Sequence, residues 1–109
     1  MLGMKRKQLI INKIVKLAQN NFPNSEIILY GSRARNDERK DSDWDLLILL
    51  NSAILPFNKE LKILDDFYEL ELESGEVFSP LIYTKSDWEN KHVFTPLFEN
   101  IKSEGVRIK

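Results

Sequence analysis

Two aspartates separated by one residue, Asp43-Trp44-Asp45, follow the run Tyr30-Gly31-Ser32-Arg33-Ala34-Arg35 at short range, with ten residues between Ser32 and Asp43. On a β-strand, residues two apart point to the same face with their Cα atoms roughly 6.6 Å apart. Asp43 and Asp45 can therefore aim both carboxylates at one point, where they repel unless a cation lies between them. Hard oxygen ligands suit Mg²⁺, which commonly takes one or two carboxylates, waters and substrate phosphates. Asp41 has the same parity and adds negative potential from the preceding loop. Gly31 and Ser32 complement this pair. A strand that turns into a helix through Gly-Ser leaves amide N–H groups unpaired at the helix start, and those groups favour phosphate. Glycine lets backbone approach an anion closely, and the Ser32 hydroxyl adds a donor. Arg33 and Arg35 supply nearby cations, either of which can reach a phosphate or pair with Asp37, Glu38 or Asp41 on the surface. A phosphate cradle beside a metal clamp describes a candidate site for a nucleoside triphosphate.

These residues need two strands and a turn to hold them. Glu26–Tyr30 is a short β-rich run ending at Gly31, and Ser32–Asp37 suits one helical turn. Glu38–Ser42 is polar and reads as a loop. Asp43–Leu50 reads as a second strand, and its continuous apolar stretch Leu46–Leu50 predicts burial on both faces. Trp44 then points away from its aspartate neighbours, into packing. Upstream, Leu9, Ile10, Ile14, Leu17 and Ala18 recur at helical spacing, predicting an amphipathic helix over Lys5–Asn21 after a frayed start at Met1–Gly3. Downstream, Pro56 suits the first position of a helix marked by Phe57, Leu61, Leu64, Tyr68 and Leu72. Glu69–Glu73 also alternates like a strand, but the helical spacing begins earlier and Gly75 is a fitting stop. Val77–Tyr83 is a third strand, with Pro80 pointing to an edge or a bulge. Ser86 is the expected cap of a short helix over Asp87–Lys91. Thr95 and Pro96 open a last helix ending at Gly105, and Val106–Lys109 suits a final strand. The alternation predicts an α/β (α+β) domain spanning 1–109, with a small mixed β-sheet packed with helices. His92, Tyr30, Tyr68, Tyr83 and Trp88 read as structural residues.

Gly31-Ser32, the ten-residue spacing and Asp43-Trp44-Asp45 together resemble the signature of the DNA polymerase beta superfamily of nucleotidyltransferases. Tyr30–Arg35 and Ser42–Leu47 resemble its minimal nucleotidyltransferase branch, as do Ser79–Tyr83 and Glu104-Gly105-Val106 less specifically. The resemblance implies a polymerase-beta-like nucleotidyltransferase fold. It also implies Mg²⁺-dependent transfer, with Ser32 and adjacent backbone on the triphosphate and Asp43 and Asp45 on the metal. Members of this branch are often encoded beside a helical partner with a HEPN domain, as toxin and antitoxin, and some transfer AMP from ATP to that partner. Active members usually carry a third carboxylate on a later strand. Here that strand offers Ser79, with Glu71, Glu73 and Glu76 as the nearest acids. The alternative to transfer is therefore a binding module that neutralises its partner by occlusion.

The remaining properties exclude other classes. The formal net charge of -1 argues against a broadly basic surface, and nothing reads a base, so sequence-specific nucleic-acid binding is not expected. No cysteine is present, which removes disulfides and thiolate metal sites and fits a reducing cytoplasm. The longest strictly apolar run is far below the ~20 residues that span a membrane. A triphosphate site on so small a sheet would lie open to water, which calls for a pairing surface with a partner or a second copy.

Overall fold

The computed structural model describes residues 2–109, with side chains from residue 6 onward. Met1 lies outside the described residues, whereas Leu2 and Gly3, expected as part of a frayed start, already belong to the first helix. Helix α1 spans Leu2–Asn21, strand β1 Ser25–Tyr30, helix α2 Ser32–Arg35, β2 Trp44–Leu50, α3 Phe57–Ser74, β3 Phe78–Thr84, α4 Lys85–Lys91, α5 Pro96–Glu104 and β4 Val106–Arg107. Among the described residues the strands form a single sheet in the order β3-β2-β1-β4. β1 is antiparallel to both β2 and β4, whereas β2 and β3 are parallel. A parallel pair needs a crossover connection, and α3 supplies it.

Strand β2 divides the molecule into layers. Trp44, Leu46, Ile48 and Leu50 face a core built with Ile10, Ile14 and Ala18 of α1 and Ile63, Phe67 and Leu70 of α3. Leu47 and Leu49 face the other way, onto Trp88 of α4 and Ile101 of α5. The run Leu46–Leu50 is accordingly buried on both faces. Asp43 and Asp45 share the parity of Leu47 and Leu49, so the strand carries them toward the α4/α5 side. Pro80 lies in β3, an edge strand, where a missing N–H is tolerated.

Three local expectations are corrected. β2 begins at Trp44, so Asp43 stands just outside it. The cap of α4 is Thr84 rather than Ser86. Thr84 ends β3 with an extended backbone, which brings its hydroxyl to accept from Asp87 N at 3.0 Å. Pro56 precedes α3 as its N-cap and does not occupy the first helical position.

The largest departure concerns α3. The residues whose spacing marks the helix, Phe57, Leu61, Leu64, Tyr68 and Leu72, are all exposed. Its buried face is Ile63, Asp66, Phe67 and Leu70, on the opposite side. Phe67 packs between Phe22 and Phe78, with ring centroids 6.2 and 5.8 Å away. Phe67→Ala should therefore cost about 3–5 kcal/mol in urea unfolding, while Phe57→Ala should change stability by no more than about 0.5 kcal/mol. Equal costs would mean that the faces are misassigned.

Candidate active site

β1 and β2 bring the two halves of the site together by register, since Tyr30 pairs with Asp45. One residue later the chain turns at Gly31, with φ 75 and ψ -157, a backbone region open essentially to glycine. Space imposes the same choice. A β-carbon at Gly31 would stand 3.2 Å from Asp45 Cγ and closer still to its Oδ2. The Asp45 carboxylate thus rests directly against the turn that opens α2. Ala34 N and Arg35 N both donate to Gly31 O at 3.1 Å, closing the first turn behind Ser32.

Asp43 is exposed at the mouth of the same strand end, and its Oδ2 accepts from Ser79 Oγ at 3.0 Å. Ser79 is the register partner of Asp45 on β3. It stands where the sheet could have offered a third acid to this pair. The three glutamates nearest in sequence are engaged elsewhere. Glu71 accepts from Phe78 N at 2.9 Å, Glu73 binds Lys13 Nζ at 2.8 Å, and Glu76 accepts from Trp44 Nε1 at 2.9 Å. Among the described residues no group of three His, Cys, Asp or Glu side chains could hold a metal. Two carboxylates with open positions still suit Mg²⁺, which keeps waters and takes oxygens from bound phosphates.

Electrostatics fits a cation between them. Burial holds the Asp45 carboxyl above its ordinary value, and repulsion from Asp43 and then Glu104 adds to this, while Arg35 opposes it. Beside it, the Tyr30 hydroxyl is pushed up to about 12 by burial, then by Asp45 and Tyr83. An ion at Asp43 and Asp45 would relieve both effects.

The two arginines part company. Arg33 does not face the phosphate side, which corrects the expectation for it. It is buried, its guanidinium lies 4.5 Å from the Trp44 ring centroid, and its Nε and Nη2 donate to Ser42 O at 3.1 and 2.7 Å. Trp44 belongs to the α1/α3 layer, so the sheet stands between Arg33 and the aspartates. Arg33 instead anchors the residue immediately before Asp43. Lys7 Nζ steadies the same loop, donating to Asn36 Oδ1 at 2.8 Å and Glu38 Oε1 at 3.1 Å. Arg35 is exposed and pairs with Asp37 at 3.2 Å, as surface pairing would have it, and with Glu104 at 3.0 Å.

Glu104 is the site residue that the sequence reading missed. Its Oε1 accepts from Gly31 N at 3.1 Å and its Oε2 binds Arg35 Nη1. It arrives there because α5 is pressed onto β1 at Gly105, where a β-carbon would stand 2.7 Å from Ile28 Cγ2. The only signal was the Glu104-Gly105-Val106 triplet, which carries no hint of a contact with Gly31, 73 residues away.

The family model for polymerase beta nucleotidyltransferases matches residues 12–106, nearly the whole chain and the entire candidate site. This chain belongs to the polymerase beta nucleotidyltransferase family. A Methanocaldococcus jannaschii protein named as a protein adenylyltransferase is 32% identical over 83 residues, 75% of this chain and 76% of that protein. The fold is shared with solved toxin–antitoxin structures. One, crystallised with AMP-PNP, has a TM-score of 0.66 at 20% identity and covers 91% of this chain and 72% of its own. Another, a MntA-HpeT variant with two aspartate-to-glutamate changes, has a TM-score of 0.66 at 18% identity with the same coverage. No helix among the described residues is long and apolar enough to cross a membrane.

The aspartate pair makes a stability prediction. A carboxyl raised in the folded state keeps its proton longer there. The cost of ionising Asp45 is thus fully present above its folded value and fades as pH falls toward the ordinary carboxylate range. Without divalent cations, Asp45→Asn should raise Tm at pH 7, and the gain should vanish in acid. Mg²⁺ should raise Tm of the unaltered protein and leave the variant unmoved. A variant less stable at pH 7 would overturn this account of the pair.

Proposed function

We propose that this nucleotidyltransferase transfers AMP from ATP to a hydroxyl of a protein partner in the cytoplasm. The partner is a helical HEPN-type toxin for which it acts as antitoxin. The observation that carries this reading is the Asp45 carboxylate lying against the Gly31 turn, with Asp43 beside it. Adenylyl as the group transferred is supported by the name of the archaeal relative and by the AMP-PNP in the toxin–antitoxin neighbour.

Each residue then has a task. Asp43 and Asp45 hold Mg²⁺, which when bound supplies Lewis acidity at the α-phosphate and neutralises the departing pyrophosphate. Gly31 and Ser32 orient the β- and γ-phosphates through backbone N–H and hydroxyl donors. The partner's hydroxyl oxygen attacks the α-phosphorus, the bond to the β-phosphate oxygen breaks, and the hydroxyl proton passes to solvent. Ser79 in place of an acid means that no side chain on β3 takes that proton, which lowers the rate by on the order of 10²–10⁴ relative to a site with a base. The same feature favours a second reading, in which the domain neutralises its partner by binding alone.

Incubation with labelled ATP, Mg²⁺ and the protein encoded beside it should label that protein. Asp43→Ala with Asp45→Ala should abolish the label. Absence of transfer, or transfer undiminished in the double variant, would reject catalysis. Neutralisation that survives the double variant would support occlusion instead.

Glu104 makes a second expectation. Its carboxylate holds the Gly31 amide and Arg35, the groups an entering phosphate needs, so nucleotide entry displaces an internal anion. Glu104→Gln should bind MgATP at least about fivefold tighter by calorimetry, since loss of one charge-assisted contact is worth roughly 1 kcal/mol or more, while Tm falls slightly. A weaker affinity in that variant would make Glu104 a support of the site rather than a competitor for it.

A further inference from the structure

The exposed side of α3 is a continuous apolar ridge. Phe57 is 75% exposed, Leu61 46%, Leu64 37%, Tyr68 58% and Leu72 66%. At 100° per residue these five fall within one quadrant of the helix and run for about 22 Å along it. Together they leave on the order of 500 Å² of apolar and aromatic surface open, toward the upper end for a monomer and typical of an interaction site. Spacing of four, three, four and four residues is that of a ridge that packs into the groove of another helix.

Charge chooses between occupants. α3 carries six carboxylates against two lysines, in a chain whose net charge is only -1. Lys62 is tied to Asp66, and Glu73 to Lys13. Among the described residues, Glu60 on one flank of the ridge and Asp65 and Glu69 on the other have no ion-pair partner. A second copy laid on this ridge would bury about 1,000 Å² in all, the lower limit for a specific interface, and would bring like charges together along both rims. A partner with lysines and arginines beside an apolar groove meets the ridge with opposite charge.

We propose that α3 is the docking surface for a helical protein whose apolar groove is rimmed by basic residues, and that this protein is the acceptor in the reading above, on which the proposal rests. The ridge belongs to the layer away from Asp43 and Asp45, so docking leaves the nucleotide face open. Its Leu72 end lies at the sheet end that carries Asp43, because β2 and β3 are parallel and α3 runs back between them. An acceptor seated on α3 therefore needs only a short extended segment to bring its hydroxyl past Gly75 and Val77.

The test is binding of the purified protein encoded beside this chain to three forms of it: unaltered, Leu61→Asp with Tyr68→Asp, and Asp65→Lys with Glu69→Lys. All substituted positions are exposed, and circular dichroism and MgATP affinity should be unchanged in both variants. The first variant should lose at least about thirtyfold in affinity, as for hot-spot residues. The second should lose less, and its affinity should depend less on salt than that of the unaltered protein. Affinity unchanged in the first variant would overturn the docking surface and leave the transfer reading standing. Intact docking without label transfer would sink catalysis and leave the surface standing. No binding of the unaltered protein would overturn both. Sedimentation of the chain alone as a dimer that Leu61→Asp with Tyr68→Asp dissolves would assign the ridge to a second copy and overturn the proposal.

Discussion

The structure turns on one close approach, that of the Asp45 carboxylate to the backbone of Gly31. Two anionic side chains at one strand end are unfavourable unless something positive stands before them, and a turn with outward N–H groups is unsatisfied unless something negative does. Placing one against the other makes each half of the site, on the proposed reading, the complement of what the other would bind, a cation on the carboxylates and a polyphosphate across the amides. Any side chain at position 31 would hold them apart. Glycine here is demanded twice, by its backbone angles and by the acid beside it.

Much of the remaining architecture serves that approach. The β1–β2 register sets Tyr30 opposite Asp45, and the crossover through α3 brings Ser79 alongside. Arg33 fixes the loop between the two halves by gripping Ser42 O from the far side of the sheet, with Trp44 as its platform. The tryptophan between the two aspartates thus does in one layer what its neighbours depend on in the other. Glu104 reaches in from α5 and occupies the donors that face the site, so the phosphate side is not an empty surface awaiting a ligand.

Much of this was legible in the residues themselves. The glycine-serine turn, the aspartate pair and the buried strand between them are local patterns, and local patterns survive into the fold. The elements followed with shifts of at most three residues at their ends, the largest at the start of α1. What escaped depended on tertiary placement. Arg33 and Arg35 differ by two positions in one helical turn, and only the packed sheet decides that one passes behind it while the other stays in front. Glu104 meets Gly31 through the docking of α5 on β1, which nothing in its neighbourhood encodes. The α3 spacing identified a helix but not its inward side. Ile63, Phe67 and Leu70 form a second apolar stripe, and packing against α1 and the sheet, not spacing along the chain, selects the one that meets the core.

The sheet's two borders also limit how the domain can associate. On one side β3 carries Pro80, which has no amide hydrogen to offer a further strand; on the other β4 is only two residues long. Neither margin is a good template for strand addition, the route by which open sheets recruit foreign chains and aggregate. Recognition is thereby steered toward helical surfaces. A chain this small can keep an apolar helix face in water without its sheet becoming the seed of a larger one.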